Sequence, residues 1–130
     1  MSLQAGDSFW FKTRFEPLAH LRILCTAPHP LYNTALWINM TTLRTGQDIT
    51  TVLQPSDHPA IRHASIVLYS DAELVDLAKL SNWLQVGLAT RGDRFSPSVL
   101  KRIQSGILAS KFTPRKFKQY FRAEQAAARV

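Results

Sequence analysis

A chain of 130 residues that is 45% apolar has the size and composition of one globular domain, long enough to bury a core without disulfide or metal staples. Its one cysteine, Cys25, excludes an internal disulfide and a cysteine-based metal cluster, which suits a reducing compartment. The net charge of +7 is uneven: residues 1–96 balance eight Lys/Arg against eight Asp/Glu, whereas residues 97–130 hold eight Lys/Arg against Glu124 alone. That excess points to an anionic partner for the last quarter, most simply nucleic acid, or to a solvated helix face that keeps the protein soluble. No apolar run reaches the roughly 18 residues that span a membrane. Met1 to Asp7 lack the basic and apolar regions of a signal peptide, so a cytoplasmic protein without membrane contact is expected.

In chain order, Gly6-Asp7 signals a turn before the aromatic run Ser8-Phe9-Trp10-Phe11, which reads as a strand. His20 to Thr26 is the next strand. Alternation puts His20, Arg22 and Leu24 on one face and Leu21, Ile23 and Cys25 on the other. Turn-like Pro28 to Asn33 leads into a third strand, Ala35 to Met40. Ile49 to Leu53 and Ser65 to Tyr69 supply two more, separated by the loop Pro55 to Pro59. Short strands at this spacing predict a small barrel. Asp71 to Leu80 reads as a short helix or as irregular chain. Ser96-Pro97 is an N-cap followed by a first-turn proline, with Val99, Leu100, Ile103, Ile107 and Leu108 at helical spacing behind it. Gly106 weakens the middle of that helix or marks a close contact. Thr113-Pro114 repeats the cap signal ahead of Phe117, Tyr120 and Phe121, and Lys111, Arg115, Lys116, Lys118 and Arg122 occupy the remaining positions. The fold class expected is α+β in a single domain over 1–130. Residues 1–95 are mainly a mostly antiparallel barrel, and residues 96–130 form two helices, the last one basic.

Nucleotide-binding glycine loops, zinc-protease, serine-hydrolase and EF-hand motifs do not occur in the sequence. His20, Asp57, His58 and His63 can serve a metal only if the fold brings them together, so no metal or other cofactor is expected. Asp57-His58-Pro59 with Arg62-His63 is the densest polar group of the first half. Histidine moves protons near neutral pH and arginine holds phosphate, so the group suits phosphodiester cleavage. From the residues alone it fits better a loop in which Asp57 caps a turn and His63 packs at a strand start. The rings of Phe9-Trp10-Phe11 and Trp37 can stack bases or fill the barrel interior.

The order of these signals resembles the MazF/PemK (CcdB-like) toxin family. Gly6-Asp7-Ser8-Phe9-Trp10-Phe11 is similar to that family's opening, and His20-Leu21-Arg22-Ile23-Leu24 to its second strand. Ile38-Asn39-Met40-Thr41-Thr42 is similar to its Pro-Ile-Thr-Ser segment, and Ser65-Ile66-Val67-Leu68-Tyr69 to its Ser-x-Val strand. The resemblance covers most of residues 5–108. It implies an SH3-like barrel, a homodimer, a small antitoxin partner and metal-independent cleavage of single-stranded RNA. The family's catalytic pair falls on Thr41 and, nearest the family's Arg-Pro, on Arg22, with His20 or His63 as general acid or base. The family's Arg-Pro itself is missing here, and the chain from Ser110 on extends past the usual family length. The five basic residues of the last helix are the expected RNA contacts. A non-catalytic nucleic-acid- or protein-binding module on the same barrel is the other reading. The two differ in whether Arg22 and Thr41 converge on one concave site.

Overall fold

The computed structural model describes residues 2–13, 16 and 18–128. The chain is α+β. Among the described residues seven strands, all paired antiparallel, are β1 (Ser8–Phe11), β2 (His20–Leu24), β3 (Thr34–Thr42), β4 (Val52–Leu53), β5 (Ser65–Val67), β6 (Glu73–Asp76) and β7 (Ala89–Arg91). They form one sheet in the order β4-β5-β3-β2-β1-β7, with β6 also bonded to β3. The long β3 organises the sheet. One of its edges pairs first with β6 (Thr34–Trp37) and then with β5 (Met40–Thr42), while the other edge pairs with β2. The ladder ends at β4 and β7, which are only two and three residues long and are not bonded to each other. Among the described residues the sheet is therefore open along that seam, where a closed barrel was expected.

The alternation read in β2 sorts its side chains as expected. Leu21, Ile23 and Cys25 enter the main core, with Leu36, Ile38 and Met40 of β3 and Val99, Ile103 and Ile107 of α2 (Pro97–Ala109). Leu24 enters a second core on the opposite face, with Phe9, Trp37 and Val75, covered by Leu77 and Leu80 of α1 (Leu77–Val86). The sheet is thus sandwiched between helices, and its two faces are apolar for different reasons of register.

Of the segment Asp71 to Leu80, read as a short helix or irregular chain, Leu77–Leu80 is helical, but Glu73–Asp76 is a strand that turns directly into that helix. Glu73–Asp76 pairs with β3, and pairing decides its conformation, because Glu73, Leu74 and Asp76 are exposed and only Val75 is buried. Asp76 then caps α1 by accepting from the backbone N–H groups of Ala78 (2.9 Å) and Lys79 (3.2 Å). Gly87, at φ 82°, ends it in the left-handed conformation that glycine adopts without strain.

α2 begins as expected, with the Ser96 hydroxyl accepting from Val99 N–H at 3.3 Å. Gly106 marks a close contact. A Cβ there would overlap the Tyr69 hydroxyl and Thr51 Oγ1, so only glycine lets α2 seat on those buried groups. α3 (Arg115–Ala128) docks through Phe121, which is fully buried in the main core, with Phe117 and Tyr120 packed beside it. The expected Thr113 cap is not made: its hydroxyl is buried and finds no partner among the described residues. Among the described residues, no helix is long and apolar enough to cross a membrane.

Candidate nucleic-acid interface

The β2–β3 pair ends beside an open groove of about 510 Å³. Its floor is the uncovered end of the main core, Leu21, Met40 and Ile61. Its walls bring together residues far apart in sequence: Trp10 of β1, His20 at the start of β2, Thr41 and Thr42 at the end of β3, Arg44 just beyond, and Arg62 and His63 of the loop before β5. Extending the β2–β3 register, in which Arg22 faces Asn39, sets His20 opposite Thr41. The His20 Nδ1 lies 3.3 Å from the Met40 carbonyl, and its Nε2 lies 3.2 Å from Glu16 Oε2. Arg62 and His63 are exposed, and neither Arg44 nor Arg62 forms an ion pair among the described residues. No carboxylate lines the groove among those residues.

Three of the four residues expected to be catalytic, His20, Thr41 and His63, therefore share one surface. Arg22 does not line it. Arg22 is only 4% exposed, and its Nη2 donates to Glu16 Oε1 at 2.8 Å while Nη1 lies 3.7 Å from Glu73 Oε1. Its guanidinium also lies over the rings of Phe11 (5.4 Å) and Trp37 (5.2 Å). The Arg22 Nε and the Oδ1 of its cross-strand neighbour Asn39 are buried without a partner among the described residues. Two carboxylates thus offset the Arg22 charge. Burial alone would raise the Glu16 pKa, but hydrogen bonds from Thr13 and the charges of Arg22 and His20 outweigh it. The Glu16 carboxyl is held below its ordinary range.

The rest of the polar loop is structural. Asp57 accepts from Gln54 N–H at 2.7 Å, the turn-capping role, and pairs with Arg102 at 3.0 Å. His58 is buried. Its Nδ1 accepts from Ala60 N–H (3.0 Å), its Nε2 donates to the Asp93 carbonyl (2.7 Å), and its ring stacks on Phe95. No three His, Cys, Asp or Glu side chains converge as a metal-ligand group among the described residues.

The basic helix lies at the other end of β3. Tyr120 meets Thr34 (3.3 Å) and Glu124 approaches His29 (3.8 Å), whereas the groove opens at Thr41 and Thr42. Thr34 and Thr42 are separated by about 26 Å of extended strand. Lys111, Arg115, Lys116 and Arg122 are exposed, but Lys118 is half-buried and donates to the Leu108 carbonyl at the end of α2. Arg129, part of the same basic run, lies outside the described residues.

No family model matches the chain, and no curated protein matches it. The functional reading therefore rests on the chemistry of the groove. Sequence reasoning missed one of its members and did not single out another. Arg44 lies between two strand signals and carried no functional signal of its own. Trp10 was grouped with its aromatic neighbours, although period-two alternation alone separates it from Phe9 and Phe11.

Proposed function

We propose that the groove at the end of the β2–β3 pair binds single-stranded nucleic acid, RNA by the family resemblance. One observation carries this reading: Arg44 and Arg62, outside any described ion pair, line one open groove together with His63, the exposed Trp10, Thr41, Thr42 and a His20 that is paired with Glu16, and no described carboxylate is itself among the lining residues. Cations and hydroxyls hold phosphates, and an aromatic face takes bases without regard to sequence. The bent, open sheet is read as an SH3-like barrel parted along the β4–β7 seam. The function is binding first, because Arg22 stands apart from the groove and is offset by Glu16 and Glu73.

The two histidines on one groove favour a second reading, RNA cleavage of the MazF/PemK type without a metal. One imidazole would take the proton of a ribose 2′-hydroxyl as its oxygen attacks the adjacent phosphorus. The other would give a proton to the departing 5′-oxygen. Thr41 would hold a phosphate oxygen, and Arg44 and Arg62 would offset the charge that builds on the phosphorane. A homodimer and a small antitoxin partner belong to this second reading.

Anisotropy of a labelled single-stranded RNA, titrated at several salt concentrations, tests the binding. Arg44→Ala combined with Arg62→Ala should weaken it and flatten the salt slope by about 0.7 in log K per log salt for each lost phosphate contact. An unchanged slope refutes the groove. Cleavage in EDTA that His20→Ala and His63→Ala each abolish would establish the second reading, and intact RNA would leave binding alone.

A further inference from the structure

Trp10 is the one ring of the Phe9-Trp10-Phe11 run that stays on the surface. Phe9 is fully buried in the second core, and Phe11 stacks on Trp83 with centroids 4.6 Å apart. Trp10 points to the other face of β1 and is 36% exposed, and no described aromatic ring packs against it. Its cross-strand neighbours, Leu21 and Thr90, are not large enough to cover an indole. An isolated exposed apolar side chain is ordinary. The position of Trp10 is not, because it stands between two cavities.

The groove of the proposed binding site is one of them. The other, about 520 Å³, is lined by Trp10, Pro59, Ala60, Arg91, Gly92 and Asp93. Trp10, Pro59 and Ala60 line both, so the two depressions adjoin, with the indole as part of their shared wall. The two differ in charge. Arg44, Arg62, His20 and His63 line the first. The second holds the exposed Asp93, and its Arg91 is already paired with Asp7 at 2.8 Å. A phosphate is therefore favoured in the first and disfavoured in the second.

We propose that Trp10 is a stacking platform for one unpaired base of a single-stranded oligonucleotide, whose sugar-phosphate backbone runs along the Arg44–Arg62 side while the stacked base projects toward Asp93. The proposal rests on the groove reading above and names what that groove discriminates: an unpaired base, rather than phosphate alone. A duplex, with its bases paired and stacked internally, cannot offer that face.

The test uses the full chain, a short oligouridylate and an abasic oligomer of equal length and charge. Stacking on an indole quenches it, so oligouridylate should quench the intrinsic fluorescence and the abasic oligomer should not. Trp10→Tyr keeps an aromatic face and should bind nearly as well as wild type without that quenching. Trp10→Ala should lose about tenfold or more in affinity for oligouridylate, and little for the abasic oligomer. If Trp10→Ala fails to fold, Trp10→Tyr and the abasic comparison still decide. Tight oligouridylate binding that Arg44→Ala with Arg62→Ala weakens, but that shows no quenching and no preference over the abasic oligomer, overturns the stacking role and leaves the groove standing. No binding of either oligomer removes both.

Discussion

Replacing Gly106 by alanine should destabilise the protein by about 1–2 kcal/mol net, although alanine is the better helix former. Propensity alone favours alanine by about 1 kcal/mol in a helix interior. Against it stands the overlap of the new Cβ with the Tyr69 hydroxyl, the Tyr69 ring carbon that carries it, and Thr51 Oγ1. Forcing a methyl into a packed core costs about 1–3 kcal/mol. If Tyr69 swings aside instead, it gives up its donation to the Ile103 carbonyl (2.8 Å) and its contact with Thr51 (2.7 Å). Each buried polar group left unpaired costs about 1–3 kcal/mol. Both routes outweigh the gain. Urea unfolding followed by tryptophan fluorescence measures the loss. Adding Tyr69→Phe should make the double variant lose less than the sum of the singles, since the hydroxyl is then gone, although the ring carbon still crowds the methyl. Gly106→Ala at or above wild-type stability would refute the seating of α2 on Tyr69.

Phe121→Ala should cost about 3–5 kcal/mol by urea midpoint, because the side chain is fully buried in the main core; a tail that only solubilised the protein would show no such loss. The Glu16 carboxyl titrates below its ordinary value when folded, so its stabilising contribution is full above that value and lost as pH falls through the lowered one. Glu16→Gln should therefore be less stable than wild type at neutral pH, and the gap in urea midpoint should close on acidification below the ordinary carboxylate range. Lys116→Ala with Arg122→Ala should leave the salt slope for a short oligonucleotide unchanged, since α3 docks at the far end of β3 from the groove.

Local chemistry made part of this fold legible. The period-two pattern of β2 sorted Leu21, Ile23 and Cys25 from Arg22 and Leu24, and both sets lie on the faces it assigned. The Ser96-Pro97 signal marked the start of α2 because a cap and a first-turn proline act within one turn. What escaped was decided across the chain. Glu73–Asp76 is a strand because β3 offers it an edge, and Ala89–Arg91 because β1 does. The short helix offered for Asp71 to Leu80 holds over Leu77–Leu80, but the local signals that carry α1 further, Leu84 at helical spacing and Gly87 beyond it, went unread. Ile49 was read as the start of a strand, but Asp48 draws the Thr50 N–H into a turn and Ile49 is left exposed. At the site, His20, Thr41 and His63 were named from sequence and do meet. The separation of Arg22 depends on Glu16 and Glu73, whose contacts with it no spacing rule announces.

Photo-cross-linking of a thiouridine-substituted single-stranded RNA to the full chain, followed by identification of the modified peptides, tests the central claim most directly. The account predicts adducts on the peptides that carry Trp10, His20 and the Pro59–His63 loop. Adducts confined to the peptides of α3, from Arg115 to Ala128, would contradict it and move the nucleic-acid contact to the basic helix.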